Sequence, residues 1–137
     1  MTDSKPRSLS PDAYLEMGRA ILAAQPFSVL IGAELHAFSP GHAEIQLPLS
    51  ERLTQQNGFA HGGIVSYLAD NALTFVGGSA LRAPVVTCEY KINYVRPAMG
   101  ERLVVRAKAV HSGNLQAVCT CEIFALNEGV EKLCALA

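Results

Sequence analysis

The amino-acid sequence predicts an α+β fold in which one antiparallel sheet wraps around one long central helix. Residues 62–81 form an almost wholly apolar run of helical length, and a helix that is apolar on nearly every side is a buried helix. Residues 42–49 alternate between apolar and polar side chains, which is typical of a strand with one buried face. A sheet that curls around the helix is the simplest arrangement that buries it.

The composition indicates one compact domain with little charge. The chain has 137 residues, of which 50% are hydrophobic and 17% are charged, and its formal net charge is −1. This length is sufficient for a sizeable core, and the low charge suggests that an oligomer covers part of the surface. No cluster of Lys and Arg stands out, so we expect no nucleic-acid partner.

The sequence shows neither an export signal nor a membrane span. Residues 1–7 mix charges and lead into no apolar core segment, unlike a signal peptide. Residues 62–81 contain polar side chains, among them Ser66, Asp70 and Asn71, that do not suit an isolated spanning helix. We therefore expect a cytoplasmic protein without a membrane partner.

The cysteines and histidines do not have the spacing of a metal site. Four cysteines lie in apolar, strand-like runs, at Cys88, Cys119, Cys121 and Cys134. Their spacing suits neither a zinc knuckle nor a Cys-x-x-Cys redox motif. We predict free, buried thiols in a reducing compartment, and no metal.

The N-terminal part predicts one helix followed by a β-hairpin. Ser10 and Pro11 are typical of a helix start, and the helix is expected over residues 11–25, where the following proline ends it. Extended segments at about 30–38 and 42–49 are joined by Ser-Pro-Gly, which indicates a turn.

The C-terminal half predicts an antiparallel meander after the central helix. Residues 82–84, Arg-Ala-Pro, are expected to end that helix. Turn residues then separate four apolar runs. The strands are expected at residues 85–96, 102–111, 115–126 and 130–136.

Asp70 is the one carboxylate in the central helix. Residues three and four positions apart share a helix face, so Asp70 belongs to a stripe of small and polar residues. That stripe contains Gly63, Ser66, Tyr67, Thr74 and Gly77. Because burial of an unpaired carboxylate costs several kcal/mol, catalysis is the first explanation for its presence.

The start of the same helix suits a carbonyl oxygen that gains negative charge. Gly62 and Gly63 expose backbone N–H groups at the positive end of the helix. Gly62 and Asp70 are about 12 Å apart along one helix, so both cannot touch one carbonyl centre from the same chain. If they cooperate, the sequence predicts a homodimer with shared active sites.

These residues resemble a known family. The run His61-Gly62-Gly63 followed by Asp70, with Asn-Tyr-Val-Arg-Pro at residues 93–97, is similar to hotdog-fold acyl-CoA thioesterases of the phenylacetate-degradation (PaaI-like) type. The resemblance covers roughly residues 27–137, which leaves residues 1–26 as an N-terminal extension with a helix. It implies the helix-wrapped sheet described above and a dimer of dimers.

The resemblance also implies roles for single residues. Gly62 matches the glycine whose amide polarises the thioester carbonyl, and Asp70 matches the acidic residue that attacks the carbonyl or activates water. Gln55 matches a position that orients the thioester or the water, with an ordinary loop residue as the alternative. Thr87 matches a hydroxyl that assists the water, although a loop of variable length leaves Cys88 as the alternative.

Other residues are expected to shape the site or to hold the substrate. His61 is expected to form the helix start and the wall of the site, with a general base as the alternative. Coenzyme A is part of the substrate and needs cations or backbone N–H groups for its phosphates, and we expect no separate cofactor. The predicted substrate contacts are Gly63, Ser66, Thr74, Arg96, His111, Ser112 and Gly113, with Lys91 as a further cation.

The resulting hypothesis is the hydrolysis of an acyl-CoA, with an aromatic or a short to medium-chain acyl group, to a carboxylic acid and CoA. One alternative is a hotdog hydratase or dehydratase, which usually pairs a catalytic His with an acidic residue. The other is a non-catalytic acyl-CoA-binding hotdog protein. Tight binding of acyl-CoA without turnover would distinguish this binding protein from the two enzymes.

Overall fold

The computed structural model describes residues 8–137 and has the predicted α+β architecture. Within these residues, three α-helices and six strands follow one another, with a short 3-10 helix at Glu51–Leu53. They are α1 (Pro11–Ala23), α2 (Pro26–Ile31), β1 (Glu34–Ser39), β2 (His42–Pro48), α3 (Gly62–Leu81), β3 (Asn93–Tyr94), β4 (Arg102–Ser112), β5 (Ala117–Asn127) and β6 (Val130–Leu136). Residues 1–7, on which the signal-peptide prediction and the start of the N-terminal extension fall, lie outside the described residues.

The six strands form one antiparallel sheet in the order β1-β2-β4-β5-β6-β3. The β1–β2 hairpin turns at Pro40 and Gly41, and Gly41 has a φ of 79°, a left-handed conformation that glycine adopts without steric cost. Strand β3 lies at one edge of the sheet, where β6 is its only neighbour among residues 8–137. The hairpin and the last three strands confirm the sequence prediction.

Helix α3 packs its aliphatic side on this sheet. Its buried residues and the inward-facing residues of β2, β4 and β5 form one continuous core. Side chains with no exposed surface come from both layers, namely Leu68, Val76, Ile45, Leu47, Leu103 and Ile123. Full burial of a Leu or Ile side chain contributes about 1.5–3 kcal/mol, so this layer fixes which face of α3 is turned outward.

The ends of α3 follow the predicted signals. His61 is the N-cap residue, and Arg82 ends the helix in a left-handed conformation with a φ of 54°. The Ala83 N–H donates to the Gly78 carbonyl at 3.2 Å, which closes the last turn. Within the described residues, no helix is long and apolar enough to cross a membrane.

Two of the predicted elements are wrong. Pro26 does not simply end a helix: it is the first residue of α2, and Gly32 with a φ of 81° ends that short helix. Proline is favourable at the first helical position as well as after a helix, so the extended segment predicted from about residue 30 begins only at Glu34.

The predicted strand over residues 85–96 is reduced to Asn93 and Tyr94. Asn93 pairs with Leu136, the last residue of β6, and in the described part of the chain no strand pairs with the residues before Asn93. The same segment corrects the cysteine prediction, because Cys88 is exposed. Cys121 and Cys134 are buried as predicted, and Cys119 is half-buried.

Candidate active site

The N-terminus of α3 presents one free backbone donor. His61 caps the helix, and its Nδ1 accepts a hydrogen bond from the Gly63 N–H at 2.9 Å. The Gly63 N–H is thus not free for a ligand, contrary to the expectation from the sequence, and a substrate contact of Gly63 stays a prediction. The Gly62 N–H has no acceptor within residues 8–137, so it is available to a ligand at the positive end of the helix.

A cleft of about 410 Å³ opens beside Gly62. Most of its wall is apolar, and its polar groups are few. Its lining includes Gln55, Phe59, Ala60, Gly62, Val65, Tyr94, Val95, Arg96, Pro97, Ala98 and Cys134. A pocket of this size with a small number of polar groups is typical of a site for a small organic ligand.

Gln55 borders the cleft from the loop before α3. Its side-chain Oε1 accepts a hydrogen bond from the Asn57 N–H, and its carbonyl accepts one from the Gly58 N–H. The amide oxygen of Gln55 therefore holds its own loop, and its Nε2 group is the part that a ligand can use.

Asp70 lies two helical turns after Gly62 and is half-buried. Its Oδ1 accepts a hydrogen bond from the Thr87 hydroxyl at 2.5 Å. The expectation of an unpaired buried carboxylate is thus wrong for the single chain, because Thr87 pairs with it and part of its surface is exposed. The structure therefore brings Thr87 to Asp70, and its assistance to the water stays a prediction.

Three hydroxyls from the segment after α3 contact the same stripe of the helix. Gly62, Ser66 and Asp70 follow one another at intervals of four residues, so they lie on one face. The three hydroxyls contact these helix residues in the reverse order of sequence. The pairs are Tyr94 with the Gly62 carbonyl, Tyr90 with the Ser66 hydroxyl, and Thr87 with Asp70.

Thr74 does not join this row. Its hydroxyl donates to the Asn71 carbonyl on its own helix at 2.8 Å, as threonine side chains in helices often do. In the single chain the hydroxyl proton of Thr74 is therefore not free to make the substrate contact that the sequence predicted.

The predicted ligands for CoA phosphates lie at opposite ends of α3. Arg96 borders the cleft beside Gly62. His111 and Ser112 are paired with β5 near Gly77, which lies against Ala117 and Cys119 and is about 22 Å from Gly62 along the helix. The Gly113 N–H donates to the Gln116 carbonyl at 2.8 Å, so its expected role as a free donor is corrected.

A buried polar cluster next to the site was not predicted. Asn71 is 8% exposed and Ser28 is 1% exposed. The Asn71 amide donates to Gln25 and to the Tyr67 hydroxyl, and the Ser28 hydroxyl contacts both of these side chains. The cluster ties α2 to α3. Periodicity does not reveal such a contact, because its partners are distant in sequence.

Tyr90 and Tyr94 are the site residues that sequence reasoning missed. Tyr94 stands inside the motif at residues 93–97, and Tyr90 precedes it by four residues. The signal was this pair of tyrosines four residues apart, but nothing in the sequence aligns that segment with α3. Among residues 8–137, no three His, Cys, Asp or Glu side chains converge as metal ligands.

The family follows from a comparison with known protein families. The model of the thioesterase superfamily matches residues 57–132. The chain belongs to the thioesterase superfamily. The match begins in the loop before α3 and ends in β6, so it contains the helix stripe and the segment that contacts it.

Solved and curated relatives from the thioesterase superfamily agree with this assignment. A thioesterase family protein from Silicibacter pomeroyi is 34% identical, with a TM-score of 0.80 over 90% of this chain and 92% of that one. The phenylacetic acid degradation protein PaaI from Thermus thermophilus is 30% identical, with a TM-score of 0.69 over 82% and 93%. Human acyl-coenzyme A thioesterase 13 is 29% identical over 88% of this chain and 86% of the human protein.

Proposed function

We propose that this thioesterase-superfamily chain hydrolyses acyl-CoA thioesters to a carboxylic acid and CoA. The observation that carries the proposal is the stripe of α3, which has a free Gly62 N–H at one end and the Thr87-bonded carboxylate of Asp70 two turns later. A donor for a developing oxyanion and a carboxylate that acts as base or nucleophile are sufficient groups for thioester hydrolysis. The name of the human relative, an acyl-coenzyme A thioesterase, supports the same reaction.

The Gly62 amide is the proposed oxyanion donor. It donates to the thioester carbonyl oxygen, and the positive end of α3 stabilises the negative charge that forms there. In a site of this kind, one such donor contributes roughly 2.7–4 kcal/mol to transition-state stabilisation.

Asp70 of the partner subunit is the proposed base or nucleophile. As a base, its carboxylate removes a proton from water, the water oxygen attacks the carbonyl carbon, the C–S bond breaks, and the proton passes to the CoA thiolate. As a nucleophile, the carboxylate forms a mixed anhydride while CoA leaves, and water then hydrolyses the anhydride. In both courses the Thr87 hydroxyl holds the carboxylate in place.

The proposal that two chains share each active site follows from the distance between Gly62 and Asp70 along α3. Because Gly62 and Asp70 are about 12 Å apart along α3, the carboxylate that serves one Gly62 comes from a second chain. A homodimer with two such sites is the simplest assembly, and the dimer of dimers stays a prediction. The CoA phosphates are proposed to lie near Arg96 and near the turn at residues 111–113 of the partner subunit.

The acyl group is proposed to occupy the cleft beside Gly62. An apolar space of about 410 Å³ lined by Phe59, Val65 and Val95 accommodates an aryl or a medium-chain acyl group. The Thermus relative is named for phenylacetic acid degradation, which supports an aromatic acyl group as the first substrate to test.

The decisive experiment is release of free thiol from a panel of acyl-CoAs. We expect turnover by the native protein and a fall in kcat of roughly 10²–10⁴-fold in Asp70→Asn. Asp12→Asn is the matched control, because Asp12 lies exposed on α1, and it is expected to keep native activity.

Other outcomes of the panel would contradict the proposal. Native activity in Asp70→Asn would remove Asp70 from the reaction. Tight acyl-CoA binding with no release of thiol by the native protein would instead indicate a binding protein. Water addition to an enoyl-CoA without thiol release would indicate a hydratase.

A further inference from the structure

The peptide group between Gly62 and Gly63 is held by side chains at both of its polar atoms. Its N–H, which belongs to Gly63, donates to Nδ1 of His61 at 2.9 Å. Its carbonyl, which belongs to Gly62, accepts a hydrogen bond from the Tyr94 hydroxyl at 3.2 Å. His61 stands next to this peptide in the chain, whereas Tyr94 follows Gly62 by 32 residues. The hydroxyl of Tyr94 is therefore a tertiary contact to the residue that carries the free N–H.

Two glycines in succession leave the start of α3 with little order of its own. Glycine populates a wide range of backbone angles, and the first N–H groups of a helix have no acceptor within the helix. A Cβ at Gly62 would lie 3.8 Å from the Tyr94 ring, and a Cβ at Gly63 would lie 3.0 Å from Nδ1 of His61. The two rings thus lie against the glycines, and their hydrogen bonds restrict a backbone that is otherwise free to turn.

The backbone of Tyr94 is itself anchored in the sheet. Tyr94 pairs with Ala135 of β6, and the Val95 N–H donates to the Cys134 carbonyl at 2.8 Å. Ala135 and Cys134 are both buried. The hydroxyl of Tyr94 therefore links the first residue of α3 to a strand that is fixed by the core.

Tyr94 also belongs to one wall of the cleft beside Gly62. Residues 94–98 line this wall. At Ala98 the wall is joined to the loop before α3, because the Ala60 N–H donates to the Ala98 carbonyl at 2.9 Å. At Tyr94 it is joined to α3 itself through the hydroxyl. The second link is made by a side chain, so a substitution can remove it without altering the backbone.

We propose that Tyr94 is a positioning residue for the oxyanion donor, whose hydroxyl fixes the peptide after Gly62 and so limits rotation of the Gly62 N–H. This proposal rests on the proposed function, because it takes the Gly62 amide as the donor to the thioester carbonyl. Tyr94 acts through Gly62, since its hydroxyl proton is donated to the Gly62 carbonyl. A donor that is held in place before the reaction stabilises the oxyanion most, because it need not reorient when the charge forms.

Tyr94→Phe removes the hydroxyl and keeps the ring beside Gly62. We expect kcat for thiol release to fall roughly 3–10-fold, as for the loss of one hydrogen bond. KM should change less than about twofold, because the donor acts mainly on charge that forms in the transition state. The factor should be the same for every acyl-CoA that is hydrolysed, since all share the thioester carbonyl.

Tyr14→Phe is the matched control. It removes a tyrosine hydroxyl from α1, where the Tyr14 ring packs against Phe38, and it should keep native kcat. Native kcat in Tyr94→Phe would overturn the proposal. A loss that differs between acyl groups would overturn it too, because it would assign Tyr94 to recognition of the acyl group.

A double-mutant cycle determines whether Tyr94 acts through the Gly62 amide. In Gly62→Pro this amide has no N–H, so the addition of Tyr94→Phe should change kcat by less than about twofold. A general structural effect of the lost hydroxyl would appear in both backgrounds. Equal losses in the native and the Gly62→Pro backgrounds would therefore contradict the proposal.

Nuclear magnetic resonance with ¹⁵N-labelled glycine follows the Gly62 amide without an assay of activity. The chain has 11 glycines, and the signal that is missing in Gly62→Ala identifies Gly62. We expect a backbone order parameter of about 0.85 for Gly62 in the native protein and in Tyr14→Phe, and a fall towards ~0.6 in Tyr94→Phe. An unchanged order parameter in Tyr94→Phe would show that the hydroxyl does not hold this amide.

The two measurements separate this proposal from the proposed function. If the native protein releases no thiol from any acyl-CoA, the proposed function fails, and the order parameter of Gly62 still decides whether Tyr94 holds the amide. If the native protein and Tyr94→Phe are equally active, the proposed function stands and the positioning role of Tyr94 fails.

Discussion

Replacement of Gly62 by proline would remove its backbone N–H with little change in the structure. Gly62 is the first residue of α3, where proline is favourable. His61 before it has φ −59° and ψ 135°, which is the conformation that a residue preceding proline prefers. A Cβ at Gly62 would lie 3.8 Å from the nearest atom of Tyr94, an ordinary contact.

Gly62→Pro should therefore fold normally and lose activity. We expect kcat to fall by roughly 10²–10³-fold, because the oxyanion loses its donor, while the melting temperature stays close to that of the native protein. Gly62→Ala keeps the N–H and should retain far more of the activity. Equal activity of the Pro and Ala variants in the thiol-release assay would contradict a role for this amide.

Thr87 is expected to act by holding the Asp70 carboxylate. In Thr87→Val the hydroxyl is lost and the shape is nearly kept, so the loss of about one hydrogen bond should lower kcat about tenfold with little change in KM. Cys88→Ser is the control, since Cys88 is the neighbouring residue and is exposed. Steady-state kinetics in which Cys88→Ser is the more impaired variant would assign the role to Cys88 instead.

At the scale of elements, α1 is held to β1 by close packing at Gly18. A Cβ at this position would lie 2.5 Å from Phe38 and 2.6 Å from Leu35. Both side chains are buried, so they cannot move aside freely. The glycine is the reason that the helix can approach the sheet so closely.

Gly18→Ala should destabilise the protein, although alanine is the better helix former. We expect a loss of about 1–3 kcal/mol in the free energy of unfolding from overpacking. Gly77→Ala is the matched control in α3, where a Cβ meets its neighbours at 3.9–4.0 Å, and it should be neutral or stabilising by up to ~1 kcal/mol. Urea unfolding that ranks the two variants in the opposite order would contradict this account.

The elements also differ in how far local sequence determines them. Helix α3 and the β1–β2 hairpin are confirmed because apolar periodicity, caps and turn residues all indicate the same structure. Pro26 carries an ambiguous signal, since proline both starts and ends helices. Residues 85–96 have the composition of a strand, but a strand needs a neighbour, and in this segment β6 pairs only with Asn93 and Tyr94.

At the scale of the whole molecule, shared sites predict that two inactive variants restore each other. A dimer of one Gly62→Pro chain and one Asp70→Asn chain has one site with both native groups and one site with neither. Random pairing of equal amounts should therefore recover about a quarter of native activity.

Unfolding and refolding the two variants together, followed by the thiol-release assay, measures this recovery. The control is each variant refolded alone, which should stay inactive. A mixture with no more activity than these controls would mean that both groups act within one chain.

The sequence by itself determined the α+β class, the central helix with its cap, and the positions of a glycine amide and a carboxylate eight residues apart on that helix. These features are local, because they depend on periodicity and on spacing along one helix. Only the tertiary structure decided that Thr87, Tyr90 and Tyr94 lie over the stripe, and that Ser28 contacts Asn71. Such contacts join residues that are distant in sequence. They depend on how the sheet packs on α3, and a local sequence pattern does not predict that packing.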